Sequence, residues 1–271
     1  KSIIVTGLPY AAVVFAMTIY WRTDSVLIER LLPDGATEAG NYAQAFRLFD
    51  AVAMIPVMFG GMLLPIMTRG LSSGQDIRPL AKMAARMLLA PLGIGAVILA
   101  TFPREILDIL YLTPSAGAVN SFRMLMITLL PVGVIYIYST ILTAAWKLKI
   151  LGIITISGMA LSVALNLVLI PRLGIAGAAF TSLVTQTLVA AGCMVAVRKT
   201  MTGIAGIRRI LTFILMLLIT FMAGWLLLLA GLSWTLAAAA QLGTGIVLAL
   251  LFRFTEPLTS LKLLTVRHGS A

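Results

Sequence analysis

The sequence predicts an all-α, polytopic membrane helix bundle of about eight transmembrane helices, and three observations carry that expectation. Hydrophobic residues make up 61% of the 271-residue chain and charged residues only 11%, where a soluble domain carries roughly 25% charged residues. The mean hydropathy is +1.07. Apolar runs long enough to cross a ~30 Å hydrocarbon core recur along the whole chain, separated by short connectors. The basic residues gather in alternate connectors, as membrane topology demands.

Taken in order, the first span runs from Ile3 to about Ile28, with Arg22 and Asp24 late in it. The second is Asn41–Met67, the third Leu80–Phe102, ended by Pro103. The fourth covers about Ala116–Trp146 and the fifth Leu148–Ile170, ended by Pro171. The sixth is Ile175–Val197, the seventh Ile210–Leu229 and the eighth Leu232–Phe252. Connectors this short make neighbours antiparallel hairpins. Pro103–Leu112 reads as a short interfacial helix with Pro at its start. Pro9, Pro56, Pro65, Pro91 and Pro131 fall inside the first four spans, which suits a bundle that bends around something. Gly152, Gly158, Gly177, Ala178 and Ala179 allow close contact between the fifth and sixth spans.

Fourteen of the twenty Lys and Arg residues lie in connectors on one side and four on the other, leaving Arg47 and Arg123 within helices. This places both termini in the cytoplasm of a multi-pass protein of the cell (inner) membrane. The same placement removes the reading that a net charge of +11 would carry in a soluble protein. The basic residues are topological, and no nucleic-acid partner is expected. A single cysteine, Cys193, excludes an intrachain disulfide, and with His268 as the lone histidine no zinc site is expected. No cofactor is expected either. The chain opens on Lys1 and passes straight into an apolar run too long for a signal peptide, which suggests a fragment or carboxy-terminal half of a longer protein.

The polar residues inside the spans are the candidate functional groups. Gln44, Arg47 and Asp50 recur at a spacing of three, which puts them on one helical face. With a helix starting near Asn41, Arg47 lies roughly 9 Å in. An arginine at that depth in lipid costs on the order of 2.5–3.5 kcal/mol, so it should face protein or a wet cavity. It could instead snorkel outward, or pair with Asp50. Arg22 and Arg123 sit at comparable depth toward the outer side, with Asn120 one turn from Arg123. Arg22 and Asp24 belong to an interfacial loop if the first helix stops at Trp21. The apolar run Ser25–Ile28 argues instead for a helix that continues through them. Three converging guanidinium groups would make an anion site, since their forks match phosphate oxygens. Asn166 and Gln186 read as interhelical hydrogen-bond formers.

Two stretches carry a family resemblance. Leu8–Leu32 (LPYAAVVFAMTIYWRTDSVLIERLL) is followed by Gly40–Arg69, and an acidic residue late in one helix precedes a Gly-x-Tyr start of the next. Asp24, Gly40, Tyr42 and Ala43 match this. In Asn166–Ser182 (NLVLIPRLGIAGAAFTS), Asn166, Ile170, Pro171, Gly174, Gly177, Ala178 and Ala179 match an Asn…Ile-Pro…Gly…Gly-Ala-Ala hairpin. Together they resemble the polysaccharide and O-antigen (Wzx-like) flippases, and the related lipid II flippases, of the MOP exporter superfamily. The resemblance implies two six-helix lobes around a central cavity. Residues 1–200 would be the second lobe, and 201–271 two additional helices and a cytoplasmic tail. The amino-terminal lobe would be a partner supplied by the same protein. It further implies translocation of a polyprenyl-pyrophosphate-linked oligosaccharide by alternating access, with Arg22, Asp24, Gln44, Arg47, Asp50, Asn120 and Arg123 lining the substrate site. A cation-coupled multidrug exporter of the same superfamily is the nearest alternative, kept open by Asp24 and Asp50. A membrane enzyme acting on lipid-linked sugars is less favoured. The longest outer connector, Glu29–Gly40, holds Glu29, Asp34 and Glu38 but no His or Cys.

Overall fold

The computed structural model describes residues 23–111, 113–201 and 207–252, with the backbone alone for 207 and 208. Among them every regular element is a helix. In chain order these are α1 (23–31), α2 (Gly35–Ser72), α3 (Arg78–Thr101), α4 (Pro103–Leu110), α5 (Ala116–Ala144), α6 (Leu148–Leu173), α7 (Ile175–Thr200), α8 (Ile207–Leu229) and α9 (Trp234–Leu251). Seven of them, all but α1 and α4, are long and apolar enough to cross a membrane. They coincide with the second to eighth expected spans. Of the first span, residues 3–22 lie outside the described residues. The remainder is helical from 23 to 31, so the chain passes through Asp24 as helix and not as an interfacial loop.

Two boundaries differ from the sequence reading for a clear local reason. Helix α2 starts at Gly35, not near Asn41. Ala36, Glu38 and Ala39 are good helix formers, and Glu38 lies in the first turn, where a negative charge suits the helix dipole. The connector Glu29–Gly40 therefore shrinks to a turn over 32–34. Helix α6 runs past Pro171 to Leu173, and the Ile170 carbonyl still accepts from Gly174 N–H at 2.9 Å. Gly174 then turns the chain at φ 62°, a left-handed value that favours glycine. The short helix α4 forms as expected, packing Leu107 inward while Ile109 and Leu110 stay exposed.

Helix α5 is the axis of the bundle, packed against α2, α3 and α7; α6 leans on α7. Besides a small cluster of Ile94, Met216, Leu217 and Ala249 that joins α3, α8 and α9, buried side chains form two layers along the helices. One contains Ile28, Tyr42, Phe49, Leu107, Phe122, Ile170 and Ile175, at the end where Gly174 turns α6 into α7. The other contains Met67, Ala81, Ile141, Leu151 and Val197, at the end where α2 turns into α3. Apolar burial drives no association in lipid, because the surrounding tails are equally apolar. Close packing of small residues and interhelical hydrogen bonds have to supply it. Gly177 serves the first: a Cβ there would run into the Leu169 carbonyl. Gln241 serves the second: its Nε2 donates to Thr101 Oγ1 (3.0 Å) and to the Thr220 carbonyl (3.1 Å). One buried amide thus fastens the α8–α9 pair to α3.

Candidate functional site

The most connected polar group among the described residues is Asp24. Its carboxylate is buried and accepts from Asn166 Nδ2 at 2.6 Å, Ser182 Oγ at 2.8 Å and Tyr42 Oη at 3.3 Å. These donors come from α6, α7 and α2, so a single side chain of α1 ties four helices together. Asn166 and Tyr42 are fully buried, and Tyr42 stacks on Phe46 at 5.7 Å between ring centroids. Asn166 Oδ1 is buried and has no hydrogen-bond partner. Asn166 and Ser182 each lie eight residues from Gly174, or about 12 Å along their helices. Tyr42 is seven residues from the start of α2 and Asp24 seven from the end of α1, roughly 10 Å in each. The junction is therefore a level layer, about 10–12 Å in from that end of the helices. A carboxylate among neutral donors is suited to loading and unloading a proton or a small cation. Among the described residues no group of three or more His, Cys, Asp or Glu side chains comes together.

Arg47 follows Tyr42 by five residues, ~7 Å deeper along α2. The buried positions of α2, among them Tyr42, Ala45, Phe49, Ala53, Pro56, Gly60, Leu63 and Met67, form one stripe that packs on α5. At ~100° per residue Arg47 points almost opposite to that stripe, and it is exposed. Met54, Met58 and Gly61 continue its face and are exposed as well. Gln44 and Asp50 flank it, each half-buried. Gln44 Oε1 is buried without a partner, and Asp50 lies within electrostatic reach of Tyr136 on α5. Among the described residues no ion pair joins Arg47 to Asp50.

Arg123 and Asn120 are also exposed, but on another side. With Ala116 and Ile127 they form a stripe on α5 that continues into Leu130, Pro131, Val134 and Tyr138. Helix α2 meets α5 elsewhere, where Gly60 approaches Tyr136 and Thr140, roughly the opposite face of α5. Arg47 and Arg123 therefore point away from each other and do not share a face. Arg22 lies outside the described residues. The expected three-arginine convergence is not what these helices build. Arg123 is eight residues from Ser115, close enough to the helix end for its long side chain to snorkel outward. Asp24 and the Gln44–Arg47–Asp50 face remain within two turns of each other along the chain path through Tyr42.

Three residues of these networks escape the sequence reading. Tyr42 and Ser182 lie within the stretches that carry the resemblance, yet nothing in their spacing marks them as partners of Asp24. Gln241 is a lone amide in the apolar run Trp234–Leu251, and that isolation in lipid was its signal. Gln186 is buried on α7.

Among the described residues one buried carboxylate ties four helices together, in a bundle whose seven long apolar helices mark a multi-pass membrane protein. No protein-family model matches the chain, and no curated protein matches it significantly.

Proposed function

We propose that this chain is one lobe of a membrane transporter of the MOP type, which moves a polyprenyl-pyrophosphate-linked oligosaccharide across the cytoplasmic membrane by alternating access. The observation that carries the reading is Arg47, exposed on a face of α2 that no described helix covers. Adding its offset from Tyr42 to the depth of the Asp24 layer sets it on the order of 15–20 Å from the Gly174 end. That is too deep to meet lipid cheaply. Water and a second lobe of the same protein would resolve the conflict by covering this face and leaving a cavity between the lobes. Arg47 would then meet the anionic pyrophosphate, with Gln44 and Asp50 beside it. Arg22 would add to this if its side chain reaches the same face; Arg123 belongs to another.

The junction at Asp24 supports a second element of the reading, ion coupling. Loading its carboxylate with a proton or cation would alter the bonds that hold α1, α2, α6 and α7 in register, which is how an ion gradient could drive the change of shape. The same feature favours the alternative, a cation-coupled exporter of other cargo. Glycan export in cells separates the two. In the full-length protein, Arg47→Ala should abolish export at unchanged membrane abundance. Arg47→Lys should restore part of it, because a point charge lacks the bidentate fork. Normal export by Arg47→Ala would remove pyrophosphate binding from this face and leave the ion-coupled alternative.

A further inference from the structure

A groove of about 320 Å³ lies between α3, α5, α7 and α8, far from the Asp24 junction and on the other side of α5 from the Arg47 face. Its walls are apolar, with Leu89, Leu130 and Leu217 at its inner end. Its mouth is not: Lys82 and Arg209 line it there, near the starts of α3 and α8, and Arg86 lines it one turn further along α3. Lys82 and Arg86 are half-buried and Arg209 is exposed. Arg198 stands one turn beyond the lining residue Met194, close enough to act on Tyr138 of the groove, and its Nε is buried with no partner. From Arg209 to Leu217 the groove spans eight residues, about 12 Å. Half the hydrocarbon core is ~15 Å. Lys82 and Arg209 thus sit at one membrane boundary, with Arg86 one turn below Lys82, over an apolar channel that ends near the middle of the bilayer.

We propose that this groove holds a membrane phospholipid of net negative charge, one acyl chain lying along α8 in the gap between it and α7, and its phosphate held by Lys82, Arg86 and Arg209. The cations supply the charge complement, and the depth matches a chain from a single leaflet. A soluble anion would satisfy only the mouth, whereas an uncharged lipid would satisfy only the walls. The occupant needs both. It also fills the gap between α8 and the α5–α7 pair, so it acts as packing between the additional helix pair and the rest of the bundle. The proposal does not depend on the transport reading.

Native mass spectrometry of the purified full chain, titrated with phosphatidylglycerol or with phosphatidylcholine of the same acyl chains, tests it directly. One phosphatidylglycerol should bind at concentrations where phosphatidylcholine does not. Lys82→Gln with Arg209→Gln should weaken it about 25-fold, roughly fivefold per cation removed. Ala191→Trp, which fills the groove and keeps every cation, should abolish it. Lys147→Gln with Lys149→Gln, at the same end of the molecule, should leave it unchanged. Equal retention of the two lipids, or undiminished phosphatidylglycerol binding in either groove variant, would overturn the proposal.

Discussion

Asp24 is where a single atom's surroundings matter most. Removing the carboxylate with Asp24→Ala orphans the buried donors of Asn166, Ser182 and Tyr42, at about 1 kcal/mol for each lost bond. Unfolding measured in detergent should therefore show a loss of roughly 3 kcal/mol. Asp24→Asn should behave differently. Asn166 Oδ1 is buried without a partner, so the amide of Asn166 can turn over and accept from the new amide at position 24. We expect near-native stability from Asp24→Asn together with a loss of export, because the junction survives and its charge does not. Normal export by this variant would make Asp24 a structural tie alone. Asn166 is legible in the sequence as an interhelical hydrogen-bond former, and its bond to Asp24 bears that out. Its partner is not legible, because a separation of 142 residues is bridged only by the docking of α1 against the α6–α7 hairpin. The same limit applies to Arg47 and Arg123. Spacing along each helix identifies a polar face, but the direction of that face is set by how α2 packs on α5.

Among the helices, the α6–α7 hairpin carries the junction. Gly174 and Gly177 fix its geometry, and Asn166 and Ser182 hang from it at equal distances. Gly177→Ala would press a Cβ against the backbone of Leu169, with no flexible side chain to give way. The hairpin would have to open, drawing Asn166 and Ser182 apart. A stability loss comparable to that of Asp24→Ala is expected, and the double variant should lose less than the sum of the two, since both break one junction. Full additivity would separate the hairpin from the junction. Helix existence was readable for the second to eighth spans, since apolar length alone marks a span in lipid. Boundaries were less so. Glycines and polar residues over 35–40 resemble a connector, yet Ala36, Glu38 and Ala39 favour helix. Pro171 resembles a stop, yet it lies so near the helix end that the chain completes two more helical residues. Gln241 shows that one amide in an apolar run can decide where a helix pair docks.

For the molecule as a whole, the basic residues predict the orientation, and the α2 face that bears Arg47 carries the proposed function. The end where α2 turns into α3 carries Arg69, Arg78, Lys82 and Arg86, so it should be cytoplasmic. Impermeant labelling of intact cells should reach single cysteines placed at 33 or 34 and spare those at 73–75; the reverse would invert the topology. How the α2 face is covered was not readable, because the sequence does not say what packs against it. The most direct test is the water accessibility of that face in the full-length protein. Single cysteines at Met54 and Met58, in a Cys193→Ala background, should react with a charged thiol reagent nearly as fast as a cysteine in a loop. Cysteines at Leu226 and Leu250, exposed on α8 and α9, should stay unreactive in lipid. If Met54→Cys and Met58→Cys are as unreactive as those two, the face lies against the bilayer or is sealed by protein, and there is no wet cavity at Arg47.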